Sequence, residues 1–215
     1  MSLPLIIVGA GGHAGVVADA LLASGRHVLG FTDPDPTRHG RMLCGLPVLG
    51  DDSVLDRHTP QTLELANGIG SVGNAHRDVL RRSVQQRLAA RGWQFASVRH
   101  PAAVVSPFAR VGAGVQLLAA SVVQAGAEVG EGCIVNTAAV VEHDVVLGAW
   151  SHVAPRALVC GGVTLGEGCH IGAGAVVRQG LRLANDTIVG AGAVLIEDCP
   201  TGGVLVGVPA RVLER

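Results

Sequence analysis

The chain has 215 residues, of which 48% are hydrophobic, 15% are charged and only 2% are aromatic. Gly, Asp, Glu, Arg or His interrupts every apolar run before it reaches the roughly 18 residues that a membrane-spanning helix needs, so we expect the apolar excess in a soluble core. The net charge of -1 argues against a nucleic-acid-binding protein, and the absence of lysine excludes a lysine nucleophile or base.

The N-terminal segment predicts a small α/β unit. Residues 3–25 have the pattern of a strand, a glycine-rich turn and a helix, and a second strand ends at Asp33. Two short strands and an amphipathic helix are predicted at residues 45–51, 69–74 and 77–92. About 100 residues are too few for both halves of a dinucleotide fold, so this domain, assigned to residues 1–97, is expected to bind a ligand of mononucleotide size.

The turn from Gly9 to Ala14 is the first candidate site. It joins a predicted strand to a helix N-terminus, so its backbone N–H groups and the helix dipole can face a phosphate. Asp33 follows the second strand and is placed to accept hydrogen bonds from a ribose or a base. A tight connection that binds no ligand is the alternative, but the turn together with the acid favours a nucleotide site.

A repeat of six residues fills the rest of the chain. Every sixth residue from Val105 to Leu195 is aliphatic, and the residue four positions later is small or Val in all repeats except that of Leu181. A glycine follows the aliphatic residue at intervals of eighteen, at Gly112, Gly130, Gly148 and Gly166. Three hexapeptides therefore form one coil, and residues 98–215 are predicted to be a parallel β-helix.

The histidines of the repeat region are the second candidate site. His143 comes two residues after an inward aliphatic residue, near a corner, with Glu142 and Asp144 beside it. A neighbouring carboxylate can orient an imidazole, which suits a general base. His152 lies half a coil later and His170 one coil above His152, so ordinary surface histidines or a zinc site remain alternatives.

The cysteines indicate no chemistry of their own. Cys133 and Cys169 occupy small inward positions, where a buried thiol is expected. The five cysteines form no CxxC pair, so neither a zinc knuckle nor a disulfide framework is predicted. A reducing cytoplasm is the simplest compartment for such a chain.

Three segments carry a family resemblance. The turn GAGGHA, the segment NTAAVVEHD and the ending VGVPARV span nearly the whole chain. Together they resemble the bacterial acyltransferases that join an N-terminal nucleotide-sugar domain to a left-handed β-helix of hexapeptide repeats. The resemblance, not the repeat itself, implies the left-handed coil, and it implies a homotrimer that binds acetyl-CoA between subunits and needs no metal.

The resemblance also implies an activity. It is nearest to the GDP-perosamine N-acetyltransferases, which acetylate a 4-amino sugar for surface polysaccharide such as O-antigen. N-acetyltransferases of UDP-linked 4-amino sugars and O-acetyltransferases of the sialic-acid type are alternatives. More distant alternatives are a zinc lyase like the γ-type carbonic anhydrases and a non-catalytic nucleotide-sugar-binding module.

By position, the resemblance implies three sets of site residues. The catalytic set is His143 as general base, Asp144 beside it, Asn136, and the backbone of Gly161 at the oxyanion. The acetyl-CoA set is His152, Ala173, Ala191 and Arg211. The nucleotide-sugar set is Gly11, Gly12, His13, Asp33 and Gly73.

Overall fold

The N-terminal part is a sheet with a helix on each face. The computed structural model describes residues 2–70 and 75–213. The strands are β1 (Leu5–Val8), β2 (Val28–Thr32), β3 (Met42–Leu43), β4 (Leu46–Gly50) and β5 (Glu64–Asn67). The helices are α1 (Gly12–Ala23) and α2 (Ala75–Ala89), and two 3-10 helices span Pro36–Arg38 and Asp52–Arg57.

The interior strand β1 explains why this part folds as two layers of helix around a sheet. The strand order is β3-β4-β2-β1-β5, and all pairs are parallel except the β3-β4 hairpin. Leu5 and Ile7 pack against α1. Ile6 and Val8 point to the other face, where they meet Leu88 of α2. A continuous apolar run suits a strand that is buried on both sides, and the predicted order of strand, glycine turn and helix is confirmed.

One predicted strand is misplaced. The sequence predicts a strand over residues 69–74, but Ile69 and Gly70, its described part, are not in a strand. The fifth strand is β5, which pairs with β1 immediately before this segment. A side chain at Gly68 would lie 2.6 Å from Ile7 and 2.8 Å from Ala14, so the glycine allows the backbone to approach its neighbours closely as the strand ends.

The remainder of the chain is a stack of two-residue strands that closes with a hairpin. The stacked strands are β6 (Val98–Arg99), β7 (Val104–Val105), β8 (Arg110–Val111), β9 (Gln116–Leu117), β10 (Val122–Val123), β11 (Glu128–Val129), β12 (Ile134–Val135), β13 (Val140–Val141), β14 (Val146–Leu147), β15 (His152–Val153), β16 (Leu158–Val159), β17 (Thr164–Leu165), β18 (His170–Ile171), β19 (Val176–Val177), β20 (Arg182–Leu183), β21 (Ile188–Val189) and β22 (Val194–Leu195). The hairpin is β23 (Val204–Gly207) and β24 (Ala210–Val212).

These strands form the three parallel faces of a prism. The docked face contains β6, β9, β12, β15, β18 and β21 and continues into the closing hairpin. The aliphatic face contains β7, β10, β13, β16, β19 and β22, and the polar face contains β8, β11, β14, β17 and β20. Each strand from β6 to β19 pairs with the strand eighteen residues later, which is the predicted coil length.

The interior of the prism is the predicted aliphatic ladder. Its members are buried from Leu117 to Leu195. Val105 is half-buried and Val111 is 39% exposed, because these two lie in the first coil and no earlier coil covers them. Small residues fill the spaces between the aliphatic side chains in the same core. A tightly packed interior of this kind has no room for large aromatic rings, which agrees with the composition.

The α/β part packs directly on the docked face. Val98, Leu118 and Ile134 from this face belong to the same apolar cluster as Ala14 and Val17 of α1. The two parts therefore share a hydrophobic core. None of the helices in the described ranges 2–70 and 75–213 is both long enough and apolar enough to cross a membrane.

Candidate functional site

A cleft of about 630 Å³ opens at the glycine turn, between the α/β part and the β-helix. It is lined by the backbone of residues 8–13, by Asp33 and Arg38 from the loop after β2, and by Asn136 and His152 from the β-helix. A Cβ placed on Gly11 or Gly12 would meet nothing within 4 Å, so both glycines border open space. The first turn of α1 thus presents backbone N–H groups to a cleft large enough for a nucleotide.

Asp33 organises the wall of this cleft. One carboxylate oxygen accepts the N–H of Ala10 at 2.9 Å and the other accepts the N–H of Asp35 at 3.0 Å. Arg38 lies 3.6 Å from the first oxygen and donates to the carbonyl of Ala10 at 2.7 Å. The carboxylate therefore fixes the glycine turn relative to the loop after β2.

His13 connects the glycine turn to the β-helix. Its Nε2 lies 2.7 Å from Oε1 of Gln116, and Nε2 of Gln116 donates to the carbonyl of Asn67 at 2.6 Å. Since the amide oxygen of Gln116 can only accept, Nε2 of His13 carries a proton. Burial is the main cause that lowers the pKa of His13 from its ordinary value of 6.5. The structure thus holds a neutral imidazole at the junction of the two parts.

Protonation of His13 should make the protein less stable in acid. The unfolded chain takes up this proton near pH 6.5, whereas the folded chain takes it up only at lower pH. We therefore expect the free energy of unfolding to decrease as the pH falls below about 6.5. Urea unfolding of the wild type and of His13→Gln between neutral and mildly acidic pH measures this contribution. Glutamine keeps a donor for Gln116 but cannot titrate, and an equal pH dependence in both proteins would contradict the assignment.

Asn136 and His152 meet at the β-helix side of the cleft. The Asn136 side-chain nitrogen lies 3.0 Å from Nε2 of His152, and its oxygen accepts the N–H of Thr137 at 2.7 Å. His152 also packs edge-on against His170 of the next coil, with ring centroids 4.9 Å apart. Both histidines are buried on the docked face. This arrangement places a polar pair in the part of the cleft lining that the β-helix contributes.

His143, Asp144 and Gly161 come together at a different corner. Nδ1 of His143 lies 2.9 Å from Oδ2 of Asp144, and both side chains are exposed. A carboxylate can only accept, so Nδ1 carries the proton and Nε2 of the neutral ring is the free acceptor. The ring lies against Gly161, which is one coil above, and a Cβ at that glycine would be 2.5 Å from Nε2. Among the described residues no acceptor faces the N–H of Gly161, whose carbonyl accepts from Gly180.

The predicted catalytic set is therefore divided between two corners of one chain. Asn136 lies at the corner between the docked and aliphatic faces, with His152 on the adjoining docked face. His143 and Asp144 lie at the corner between the aliphatic and polar faces. Among the described residues, no three His, Cys, Asp or Glu side chains are grouped so that they could hold a metal ion.

The other predicted acetyl-CoA residues lie higher on the β-helix. Ala173 and Ala191 are exposed and stack one coil apart at the Asn136 corner, where Gly192 donates to the carbonyl of Ala173 at 2.9 Å. Arg211 projects from β24 and lies 3.6 Å from Glu197. Gly73, from the predicted nucleotide-sugar set, falls outside the described residues.

Three of the five thiols, those of Cys133, Cys160 and Cys169, are poorly suited to act as nucleophiles. Burial raises the pKa of Cys133 to about 12 and that of Cys169 to about 11. Burial, with a smaller contribution from Glu142, also raises the pKa of Cys160, which precedes Gly161. Thiols with raised pKa values are poor nucleophiles at neutral pH, as the sequence pattern indicates for the inward positions.

Two residues at the junction are not anticipated by the sequence analysis. Gln116 bonds to His13, and Arg81 of α2 is 1% exposed and donates to the carbonyl of Gly132. The guanidinium of Arg81 lies 5.2 Å from the ring centroid of Trp150. Gln116 could have been identified from the sequence, because it is polar, whereas the equivalent outward position one coil later is the apolar Ile134. Arg81 could not, since an arginine in an amphipathic helix ordinarily faces water.

Comparisons with known proteins cover both parts of the chain. Residues 4–88 match the family model of the PglD N-terminal domain. No curated protein matches the chain. The acetyltransferase domain of PglB from Neisseria gonorrhoeae FA1090, also solved with acetyl coenzyme A, is 37% identical, with 99% of this chain and 100% of that chain covered and a TM-score of 0.89.

Two further solved structures are similar over the full length. PerB from Caulobacter crescentus, in complex with CoA and GDP-perosamine, is 38% identical, with both chains covered completely and a TM-score of 0.88. WeeI from Acinetobacter baumannii AYE is 25% identical, with 99% of this chain and 100% of that chain covered and a TM-score of 0.84. These matches confirm the predicted fold class, a small α/β domain followed by a left-handed parallel β-helix.

Proposed function

Since the chain belongs to the hexapeptide-repeat nucleotide-sugar acetyltransferases, which use acetyl-CoA, we propose that it acetylates the 4-amino group of a nucleotide-linked amino sugar. Residues 1–97 would hold the nucleotide sugar and residues 98–215 would carry out the transfer. The observation that carries the proposal is the His143–Asp144 pair. The free Nε2 of His143 lies at an exposed corner, against Gly161.

The similarity to PerB favours GDP-perosamine as the substrate. PerB is a perosamine N-acetyltransferase, and its structure contains both CoA and GDP-perosamine. A UDP-linked 4-amino sugar is the second candidate, and O-acetylation of a sialic-acid-type sugar is the third. The product would enter the synthesis of a surface polysaccharide such as O-antigen.

The reaction we propose is a direct transfer. The neutral amine attacks the thioester carbonyl of acetyl-CoA, and Nε2 of His143 takes the proton that the amine loses. The N–H of Gly161 donates to the oxyanion of the tetrahedral intermediate. The carbon–sulfur bond then breaks, and the proton on His143 goes to the departing CoA sulfur. Asp144 holds the imidazole in the Nδ1–H tautomer throughout, and no acyl-enzyme forms.

We propose that the active unit is a homotrimer with its sites between subunits. The glycine-turn cleft and the His143 corner belong to different corners of the prism, so one site that uses both needs two chains. The aliphatic face, which lies between these two corners, supplies a suitable contact surface. Its outward side chains are Val104, Val122, Val140, Leu158, Val176 and Val194, whereas those of the polar face are Arg110, Glu128, Val146, Thr164 and Arg182.

Replacing Val122 with arginine should dissociate this assembly. Val122 is the outward residue of β10 on the aliphatic face, and an unpaired guanidinium in an apolar interface loses its hydration without compensation. Light scattering after gel filtration should show the variant as a monomer, and acetyl transfer should be lost with the assembly. Val146→Arg places the same charge on the polar face and should remain trimeric and active. A fully active, trimeric Val122→Arg protein would disprove the interface.

A thiol-release assay tests the proposed activity. The purified protein is given acetyl-CoA and a panel of GDP-, UDP- and TDP-linked 4-amino sugars, and released CoA is measured. We expect the highest kcat/KM with GDP-perosamine, and mass spectrometry should show the acetyl group on nitrogen. Transfer to a hydroxyl, or release of CoA with none of the amino sugars, would refute the proposed function.

A further inference from the structure

The corner that carries His143 contains a glycine whose role the proposed reaction does not explain. Gly126 lies one coil below Asp144, in the turn between β10 and β11. Its φ is +75°, and Asp144 above it has φ +58°. The N–H of Asp144 donates to the carbonyl of Ala125, so the backbones of the two turns are stacked in direct contact.

The side chain of Asp144 occupies the space above Gly126. A Cβ built on Gly126 would overlap Oδ1 of Asp144 and would lie 3.4 Å from its Cγ. The other oxygen of the same carboxylate, Oδ2, is the one that lies 2.9 Å from Nδ1 of His143. Any side chain at residue 126 therefore moves the carboxylate, and with it the contact that orients the imidazole.

The same pair of residues occurs at another corner without a histidine. Gly168, with φ +67°, lies one coil below Asp186, with φ +57°. A Cβ on Gly168 would overlap Oδ1 of Asp186 as well. Asp186 follows Asn185 rather than a histidine, so this second pair reproduces the steric relation alone. Gly168 is thus a matched control for Gly126.

Alanine is accepted by the backbone at this position of the coil. Ala120 and Ala138 stand at the corresponding position of other hexapeptides, three residues after an inward aliphatic, with φ +56° and +53°. An alanine in place of Gly126 should therefore leave the coil folded. We expect it to displace only the side chain of Asp144 above it.

We propose that Gly126 is a positioning residue for acetyl transfer, whose missing side chain lets Asp144 reach Nδ1 of His143. The inference rests on the proposed function, because it assumes that His143 is the general base. It assigns Gly126 no contact with substrate. Gly126 affects catalysis only through the position of Asp144, and this dependence can be measured separately from any loss of stability.

Gly126→Ala should lower kcat by about 10- to 100-fold, part of the contribution of a general base, and leave KM for acetyl-CoA unchanged. Gly168→Ala should have the same melting temperature as Gly126→Ala and near wild-type kcat. In an Asp144→Ala background, Gly126→Ala should cause no further loss, because the contact it disturbs is already absent. Equal kcat in the two alanine variants, or additive losses in the double variant, would overturn the proposal.

The nitrogen-15 NMR shifts of the His143 ring supply a test that does not depend on activity. The wild type and Gly168→Ala should show the Nδ1–H tautomer, whereas Gly126→Ala should show a mixture with Nε2–H. An unchanged tautomer in Gly126→Ala would also overturn the proposal. If the wild type transfers no acetyl group, or His143→Asn turns over normally, the proposed function fails while the tautomer measurement still decides the role of Gly126.

Discussion

Replacing His143 with asparagine is expected to lower kcat by about 10²- to 10⁴-fold, which is the usual contribution of a general base. The reason lies in the tautomer that Asp144 selects. Its carboxylate accepts the hydrogen bond from Nδ1–H and leaves Nε2 as the acceptor for the amine proton. Asparagine is similar in size, but its amide is far too weak a base to take that proton. Single-turnover kinetics with acetyl-CoA and the best substrate of the panel measures this loss directly.

Acetyl-CoA binding provides the control for this variant. His143 is 65% exposed at a corner and contributes little to the core, so the variant should fold and bind acetyl-CoA with unchanged affinity in calorimetry. A loss of binding together with turnover would indicate a structural or cofactor role for the ring instead. Near-normal turnover in His143→Asn would remove the general base from the mechanism.

Gly161→Ala should reduce kcat by a comparable factor, about 10²-fold or more. A Cβ at this position would be 2.5 Å from Nε2 of His143, so the ring must turn away from residue 161. The displaced ring loses its bond to Asp144 and no longer faces the N–H that we assign to the oxyanion. The rate of acetyl transfer at saturating substrates is the quantity to compare.

Two features of the chain separate this effect from misfolding. The corresponding residues one coil below and one coil above Gly161 are His143 and Gln179, and Ala125 lies two coils below, so the backbone at this corner accepts side chains. We therefore expect the melting temperature of Gly161→Ala to stay close to that of the wild type. Cys160→Ala changes the adjacent residue but does not fill the space between residue 161 and the imidazole of His143, so this variant should keep its activity. If Cys160→Ala is as impaired as Gly161→Ala, the loss does not come from contact with the imidazole.

The β-helix was open to prediction from the sequence because its interactions repeat at a fixed spacing. Each inward aliphatic from Leu117 to Leu195 packs on a residue eighteen positions away, so the period of six alone identifies the core. The two exceptions lie at the open end of the prism, where Val105 is half-buried and Val111 is exposed. End effects of this kind follow from the stacking order and not from the residue type.

The α/β part was predicted less completely because its register depends on distant partners. The strand expected at residues 69–74 could not be distinguished by pattern from β5, which pairs with β1 across about sixty residues of chain. In the candidate site, the contact between His143 and Asp144 joins neighbours in sequence, so it could be predicted from the sequence. The contacts of Gln116 with His13 and of Gly126 with Asp144 appear only when the coils are stacked.

The apolar core shared by α1 and the docked face also has a consequence for substrate choice. Since Leu118 and Ile134 pack with Ala14, the two domains are expected to move as one body rather than about a hinge. In the proposed trimer, a nucleotide anchored at the glycine turn would then be held at a constant separation from the His143 corner of the neighbouring subunit. Selection among nucleotide sugars would then depend on the distance between the nucleotide and the acceptor group of the sugar. Only a substrate in which this distance matches the fixed separation would bring its acceptor group to the acetyl group.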